Sequence, residues 1–312
     1  MLHIVILDSA TLGADLDLSV LERFGHLSTY PTTSPEETLE RIRIADIVIT
    51  NKVVITANMM QESSKLKLIC IAATGMNNVD LDAAKHYGIV VKNVAGYSTK
   101  SVAQHTFAML FYLLEQMRYY DEVVKSGHWM QSGLFTDVSR PFYEIAGKKW
   151  GIIGLGIIGQ EVARIATAFG AEVSYHSTSG KNLRHGYPHK SLEFILKDSD
   201  IVSIHAPLNE ATYNLINELN LPYLKEKAIL LNLGRGGIIN ETDLAYEIDR
   251  RELYAGLDVL EKEPIEPTNR LNEVHHKERL LITPHIAWTS IEARQKLLEG
   301  IVSNIKSFLN NE

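Results

Sequence analysis

The chain has 312 residues, of which 45% are hydrophobic and 22% charged. These values sit near those of soluble globular proteins, so they exclude a disordered or fibrous chain and leave room for about two domains. A net charge of −7 is too acidic overall for a protein built mainly to grip nucleic acid, and the one cysteine, Cys70, supplies neither an internal disulfide nor a Cys-rich zinc site.

The N-terminal residues lack both a basic stretch and a long apolar run, so no signal peptide is predicted. No segment approaches the roughly 18 apolar residues of a membrane span. A cytoplasmic protein without nucleic-acid or membrane partners and without a bound metal is the expectation. The first β-rich run is 4–7. Ser34-Pro35-Glu36-Glu37 then forms a capping-box pattern with proline at the first helical position, and predicts a helix to about residue 44. A strand at 47–50, a helix near 57–63, a strand at 68–72 holding a structural Cys70, and a last strand at 89–91 follow. Strands alternating with helices argue for parallel βαβ units, and this half reads as a small flavodoxin-like domain of about five strands.

Residues 101–125 change pattern and predict one long helix. Its apolar positions run nearly all the way round, which calls for a second burial partner, another domain or another subunit. A second βαβ series begins at 149–155, with strands near 173–175, 201–204, 228–232, 254–258 and 280–282. A final helix at about 290–310 is placed to return to the first domain. The fold class is α/β, with two doubly wound parallel sheets.

Gly154-Leu155-Gly156-Ile157-Ile158-Gly159 is a G-x-G-x-x-G flanked by an apolar strand pattern before it and helical spacing after it. In that context Gly154 allows the tight turn, Gly156 lets the backbone approach a pyrophosphate, and Gly159 lets helix and strand pack closely. The phosphates would then meet unpaired N–H groups at a positive helix end. The acid that usually holds the adenosine ribose about 20 residues further on is absent. Ser177 stands at its position, followed by Thr178, Ser179 and Lys181, hydroxyls and an ammonium that tolerate or bind a 2′-phosphate. The alternative is a solvated polar turn that selects nothing.

Three later segments follow strands of the second half, at the edge where doubly wound sheets bind ligands. They contain Arg235, Glu263 and His285. Singly, each has an ordinary structural explanation; an arginine, a carboxylate and a histidine at successive strand ends beside a dinucleotide motif are a catalytic constellation.

These segments, together with Asn93-Val94-Ala95-Gly96-Tyr97-Ser98-Thr99, Ser101-Val102-Ala103-Gln104-His105-Thr106 and Glu144-Ile145-Ala146-Gly147-Lys148-Lys149, make the chain resemble the D-isomer-specific 2-hydroxyacid dehydrogenase family over nearly its whole length. The resemblance implies Arg235, Glu263 and His285 as catalytic residues. It also implies a substrate domain of residues 1–98 with 285–312 and a Rossmann NAD(P)-binding domain of residues 99–284. Ile157 and Ile158 at the phosphates, His205, Ala206 and Pro207 at the adenosine, and Leu233, Gly234 and Asp258 at the nicotinamide would complete a site for NAD or NADP. Lys52, Thr74, Gly75, Met76, Arg235 and Trp288 would contact a small 2-oxo or 2-hydroxy acid, and the family pattern implies a homodimer.

Within the family, Thr50-Asn51-Lys52, Phe135 and Pro284-His285-Ile286-Ala287-Trp288 are most similar to glycerate dehydrogenases (hydroxypyruvate reductases), which points to hydroxypyruvate and glyoxylate reduction. Gln104 stands where many members carry Glu, a departure that bears on tuning. Two other readings stay open: a non-enzymatic NAD(H)-sensing regulator, since the family includes corepressors of this fold, and a formate dehydrogenase, a subgroup with Gln at the position of Glu263.

Overall fold

The computed structural model describes residues 1–181 and 186–310. The chain divides into two compact units, Met1–Ser98 with Thr289–Glu312, and Thr99–Trp288.

In the first unit the strands β1 (Leu2–Ile6), β2 (Gly25–Thr29), β3 (Ile47–Thr50), β4 (Leu68–Ile71) and β5 (Val90–Lys92) form a parallel sheet in the order β2-β1-β3-β4-β5. The helices α1 (Pro35–Arg43), α2 (Ala57–Gln61) and α3 (Leu81–His86) connect them. The predicted capping box is present at α1: Ser34 accepts from the Glu37 N–H, and the Glu37 carboxylate accepts from the Ser34 N–H. Period-two alternation splits the apolar strand residues between two faces. Val5, Leu7, Val48, Ile69 and Ile71 pack with Ile42, Met60 and Ala84 of the three helices. Cys70 is buried within β4, and burial pushes its thiol up to about 12, which makes it inert at neutral pH.

The second unit starts with α4 (Thr99–Leu114), α5 (Met117–Lys125) and α6 (His128–Gln131). The single helix expected over 101–125 is therefore two. Gln116 sits in the left-handed region at φ 52°, which ends the i→i−4 ladder. The apolar faces of α4 are absorbed within its own unit, where Val102, Phe107, Leu110 and Leu113 join Trp150, Ile152, Val162 and Leu231 in one core.

There follow β6 (Lys149–Ile153), α7 (Ile157–Ala168), β7 (Glu172–His176), α8 (Leu192–Asp198), β8 (Ile201–Ile204), β9 (Ile229–Asn232), α9 (Glu241–Arg250), β10 (Tyr254–Leu257) and β11 (Leu280–Ile282). These strands form a parallel sheet in the order β11-β10-β9-β8-β6-β7. A second core on the opposite face joins Val202, Ile204, Leu230 and Leu257 to Ile195, Leu244 and Ile248. The last helix, α10 (Ile291–Leu309), belongs to the first unit.

Two elements carried no clear sequence signal. The strand β2 has the pattern Gly-His-Leu-Ser-Thr and lies at the sheet edge, without a fully buried residue. The helix α3 is six residues long, too short to show a period. Residues 285–288, assigned by sequence to the substrate domain, lie in the second unit. Asp258 explains the difference, because its carboxylate accepts from the N–H groups of Ile286 and Ala287. Among the described residues no helix is long and apolar enough to cross a membrane, and no group of three or more His, Cys, Asp or Glu side chains is placed to hold a metal ion.

Candidate active site

In the second sheet the strand order reverses between β6 and β8, which is where open α/β sheets bind ligands. The loop after β6 carries the three glycines. Gly154 has φ 93°, a left-handed conformation that other residues adopt at a cost. A Cβ on Gly159 would fall 2.3 Å from the Gly154 carbonyl oxygen, so close packing of helix on turn demands glycine there. Gly156, the residue capping α7, is different. It has an ordinary φ of −74°, and a Cβ on it would meet nothing within 4 Å. The fold itself does not require glycine at that place, and its lack of a side chain leaves the helix N-terminus open to close approach.

Around this point a cavity of about 300 Å³ is lined by Gly154, Gly156, Ser177, Thr178, His205 and Pro207. Backbone N–H groups at the first turn of α7, at Ile157 and Ile158, and the hydroxyl-rich turn after β7 fit the pyrophosphate and ribose of a dinucleotide. Lys181 is exposed at the end of that turn. Burial pushes the His205 imidazole down to about 3, so it forms a neutral wall, with Nε2 3.1 Å from Ser203 Oγ and a buried Nδ1 that has no partner among the described residues.

Arg235 follows β9 in a turn held by Asn232, whose side-chain amide donates to the Arg235 carbonyl and accepts from the Gly234 N–H. The next residue, Gly236, presses on the segment after β10: a Cβ there would come within 1.9 Å of the Leu260 carbonyl oxygen. In that segment the Leu260 N–H donates to Glu263 Oε1 at 3.0 Å. The other oxygen, Oε2, lies 2.7 Å from His285 Nδ1. Glu263 is thus braced by backbone on one side and orients an imidazole on the other, which leaves His285 Nε2 to exchange a proton.

His285 itself has φ 54°, a left-handed backbone that costs a non-glycine residue about 1–3 kcal/mol unless its surroundings enforce it. The enforcement comes from Asp258, which is buried. Its Oδ1 accepts from the Thr283 hydroxyl at 2.6 Å and the Ile286 N–H at 2.8 Å, and its Oδ2 accepts from the Ala287 N–H at 2.9 Å. His105 Nε2 is 3.1 Å from Thr283 Oγ1. Since that hydroxyl proton goes to Asp258, the Thr283 oxygen accepts from His105. Ser101 closes the clamp by donating to the Ala287 carbonyl at 2.6 Å.

Arg235, Glu263 and His285 are therefore brought to neighbouring loops of one unit, while Trp288 packs against the core beside α4. Lys52, Thr74, Gly75 and Met76 belong to the first unit. The clamp residues Ser101, His105 and Thr283 were not assigned from sequence. The adjacency of Thr283 to Pro284-His285 was the available signal for one of them.

Comparison with known proteins identifies the family. The profile of the family described as D-isomer specific 2-hydroxyacid dehydrogenase, NAD binding domain, matches residues 107–287. A hydroxypyruvate reductase of Blautia hydrogenotrophica is 35% identical over 99% of this chain and 97% of its own length. A glycerate dehydrogenase of Methylorubrum extorquens is 36% identical over 94% and 93%. Among solved structures, an acyclic imino acid reductase in complex with NADPH and D-Arg superposes with a TM-score of 0.86 at 30% identity, covering 99% of this chain and 97% of that one. The matched region is the family's NAD-binding domain, and the chain belongs to the D-isomer-specific 2-hydroxyacid dehydrogenase family.

Proposed function

We propose that this dehydrogenase reduces small 2-oxo acids, hydroxypyruvate and glyoxylate foremost, to D-glycerate and glycolate, and that it works in the cytoplasm as a homodimer accepting both NADH and NADPH. The observation that carries the reading is the 2.7 Å contact between His285 Nδ1 and Glu263 Oε2, on loops adjoining the one that bears Arg235. A reduced nicotinamide, when bound, would supply the hydride for the carbonyl carbon. His285 Nε2 gives its proton to the ketone oxygen, and takes it back in the reverse direction. The anionic Glu263 favours the imidazolium form and fixes the ring. The planar fork of Arg235 takes the substrate carboxylate and polarises the neighbouring carbonyl.

Small substrates are favoured by the resemblance of Thr50-Asn51-Lys52 to glycerate dehydrogenases and by the overall similarity to such an enzyme. Ser177 and Thr178 line the dinucleotide cavity with hydroxyls where an aspartate would repel a 2′-phosphate, and the turn 177–181 carries no arginine to clamp one. Discrimination between the two cofactors is therefore weak. A dimer is supported by the large apolar side chains exposed after α4: Met117, Val124, Met130, Leu134, Phe135 and Val138. Apolar surface on that scale marks an interaction site.

Steady-state kinetics with hydroxypyruvate, glyoxylate and phenylpyruvate, each with NADH and NADPH, test the reading. The two small acids should show the higher kcat/KM. Highest kcat/KM with phenylpyruvate overturns the substrate assignment. Cofactor binding without turnover of any 2-oxo acid overturns the enzymatic mechanism.

A further inference from the structure

The order of the first sheet reverses between β1 and β3, so a ligand crevice is expected at the carboxyl ends of those two strands. Two loops beside that crevice treat their backbone N–H groups in opposite ways.

The loop after β3 is filled from within. Asp8, just beyond β1, is 5% exposed. Its carboxylate accepts from the N–H groups of Asn51 at 2.9 Å, Lys52 at 2.7 Å and Val53 at 3.4 Å, and from the Thr50 hydroxyl at 3.3 Å. Successive N–H groups converging on one point form an anion cradle, and here the chain's own anion occupies it. The loop after β4 is left open. Among the described residues, the N–H groups of Thr74, Gly75, Met76 and Asn77 donate to no acceptor. That loop is pinned through other atoms: Asn93 donates to the Thr74 carbonyl at 2.6 Å, the Thr74 hydroxyl to the Val94 carbonyl at 3.2 Å, and Asn78 to the Val53 carbonyl at 3.0 Å.

We propose that Asp8 is a positioning residue for the 2-oxo acid. By filling the cradle at 51–53 it fixes the backbone from which Lys52 projects, and it closes that cradle to the substrate carboxylate. Of the two loops, only the one at 74–77 then offers free N–H groups to an anion. The proposal rests on the reading of Lys52 and of Thr74, Gly75 and Met76 as substrate-binding. Asp8 touches neither substrate nor cofactor; it acts through Lys52.

The test compares Asp8→Asn, Thr50→Val, Lys52→Ala and the Asp8→Asn/Lys52→Ala pair, measuring kcat and KM for hydroxypyruvate and the Kd of NADH. Asp8→Asn should raise KM roughly tenfold, the scale of a lost charge-assisted cradle, and leave the NADH Kd unchanged. Thr50→Val keeps the carboxylate but removes one donor to it and the oxygen that accepts from the Val53 N–H at 3.0 Å; it is the milder variant and should raise KM about two- to fivefold. The pair should be little worse than Lys52→Ala alone, because both changes act through one contact.

Unchanged KM in Asp8→Asn and Thr50→Val, with Lys52→Ala impaired, overturns the role of Asp8 and leaves the reading of Lys52 standing. Unchanged KM in Lys52→Ala overturns both. Fully additive effects in the pair show that Asp8 serves the first unit in general and overturn the proposal.

Discussion

Thr283 Oγ1 lies 2.6 Å from Asp258 Oδ1, and through that bond a buried carboxylate holds the strand-end turn from which His285 projects. The left-handed φ of His285 persists because Asp258 also binds the two N–H groups that follow. Thr283→Val keeps the shape of the side chain and removes its hydroxyl, leaving Asp258 short of a donor and His105 Nε2 with Asp258 Oδ1, 3.5 Å away. The expected result is a fall in kcat of about tenfold, since small misplacements of a proton donor are costly, with Thr283→Ser restoring most of it. Equal kcat in Thr283→Val and the parent would show that the two N–H bonds to Asp258 suffice.

His285→Ala should lower kcat by roughly 10²–10⁴-fold, the usual contribution of a positioned acid–base group, while NADH binding, followed by fluorescence titration, stays near the parental value. Arg235→Ala should both raise KM for the 2-oxo acid and lower kcat, because in the proposed mechanism the guanidinium binds the carboxylate and polarises the ketone. Near-parental kcat in His285→Ala would assign the proton donor elsewhere.

Glu263→Gln keeps the shape beside His285 and removes the anion 2.7 Å from Nδ1. Reduction requires the imidazolium, which then loses its charged neighbour. Activity in the reductive direction should therefore fall away at a lower pH than in the parent, and the oxidative direction should extend to lower pH. Superimposable pH–rate profiles of kcat/KM for the two proteins would count against an electrostatic role for Glu263.

Ser177→Asp places a carboxylate where Ser177 lines the dinucleotide cavity. The new group should hydrogen-bond the ribose of NADH and repel the 2′-phosphate of NADPH, turning the proposed weak discrimination into a strong preference for NADH. Titrating both cofactors against parent and variant checks this. A parent that already excludes NADPH as fully as the variant shows that the polar turn selects nothing.

His205 links stability to pH. Its imidazole is pushed by burial from 6.5 down to about 3, so the unfolded chain binds a proton there that the folded chain refuses. The stabilising contribution is complete above about pH 6.5 and declines as the pH falls towards 3. His205→Gln should show a smaller drop in Tm between pH 7 and pH 5 than the parent, measured by thermal denaturation without cofactor. An identical pH dependence of Tm would place the acid sensitivity in other groups.

Much of this was legible in the chain. The capping box at Ser34, the strands at 47–50, 201–204 and 280–282, and the glycine-rich turn all announce themselves through local chemistry: a side chain that satisfies its own backbone, an unbroken apolar run, a turn only glycine permits. What escaped was whatever depends on residues far apart. The break at Gln116 was hidden because apolar spacing continues across it. The edge strand β2 has too little burial to print a period. Asp8 looked like an ordinary carboxylate and Asp258 only like a nicotinamide-side residue, since the N–H groups they collect belong to loops 43 and 28 residues away. Arg235, Glu263 and His285 stood out because three weak signals shared one sheet edge and their segments resemble the family's.

The placement of α10 in the first unit has a consequence for how the protein is made. The second unit is one uninterrupted stretch, so it has all its residues once the ribosome has passed Trp288 and its exit tunnel has cleared. The first unit begins synthesis earlier and finishes later. Until the last helix emerges, β4 lacks the helix that contacts it, and Leu297, Ile301 and Ile305, buried in the finished structure, are missing. Domains generally fold as they are completed during translation, so here the order of folding is expected to reverse the order of the sequence. A nascent chain arrested before residue 290 would carry a second unit able to fold and a first unit still waiting for α10.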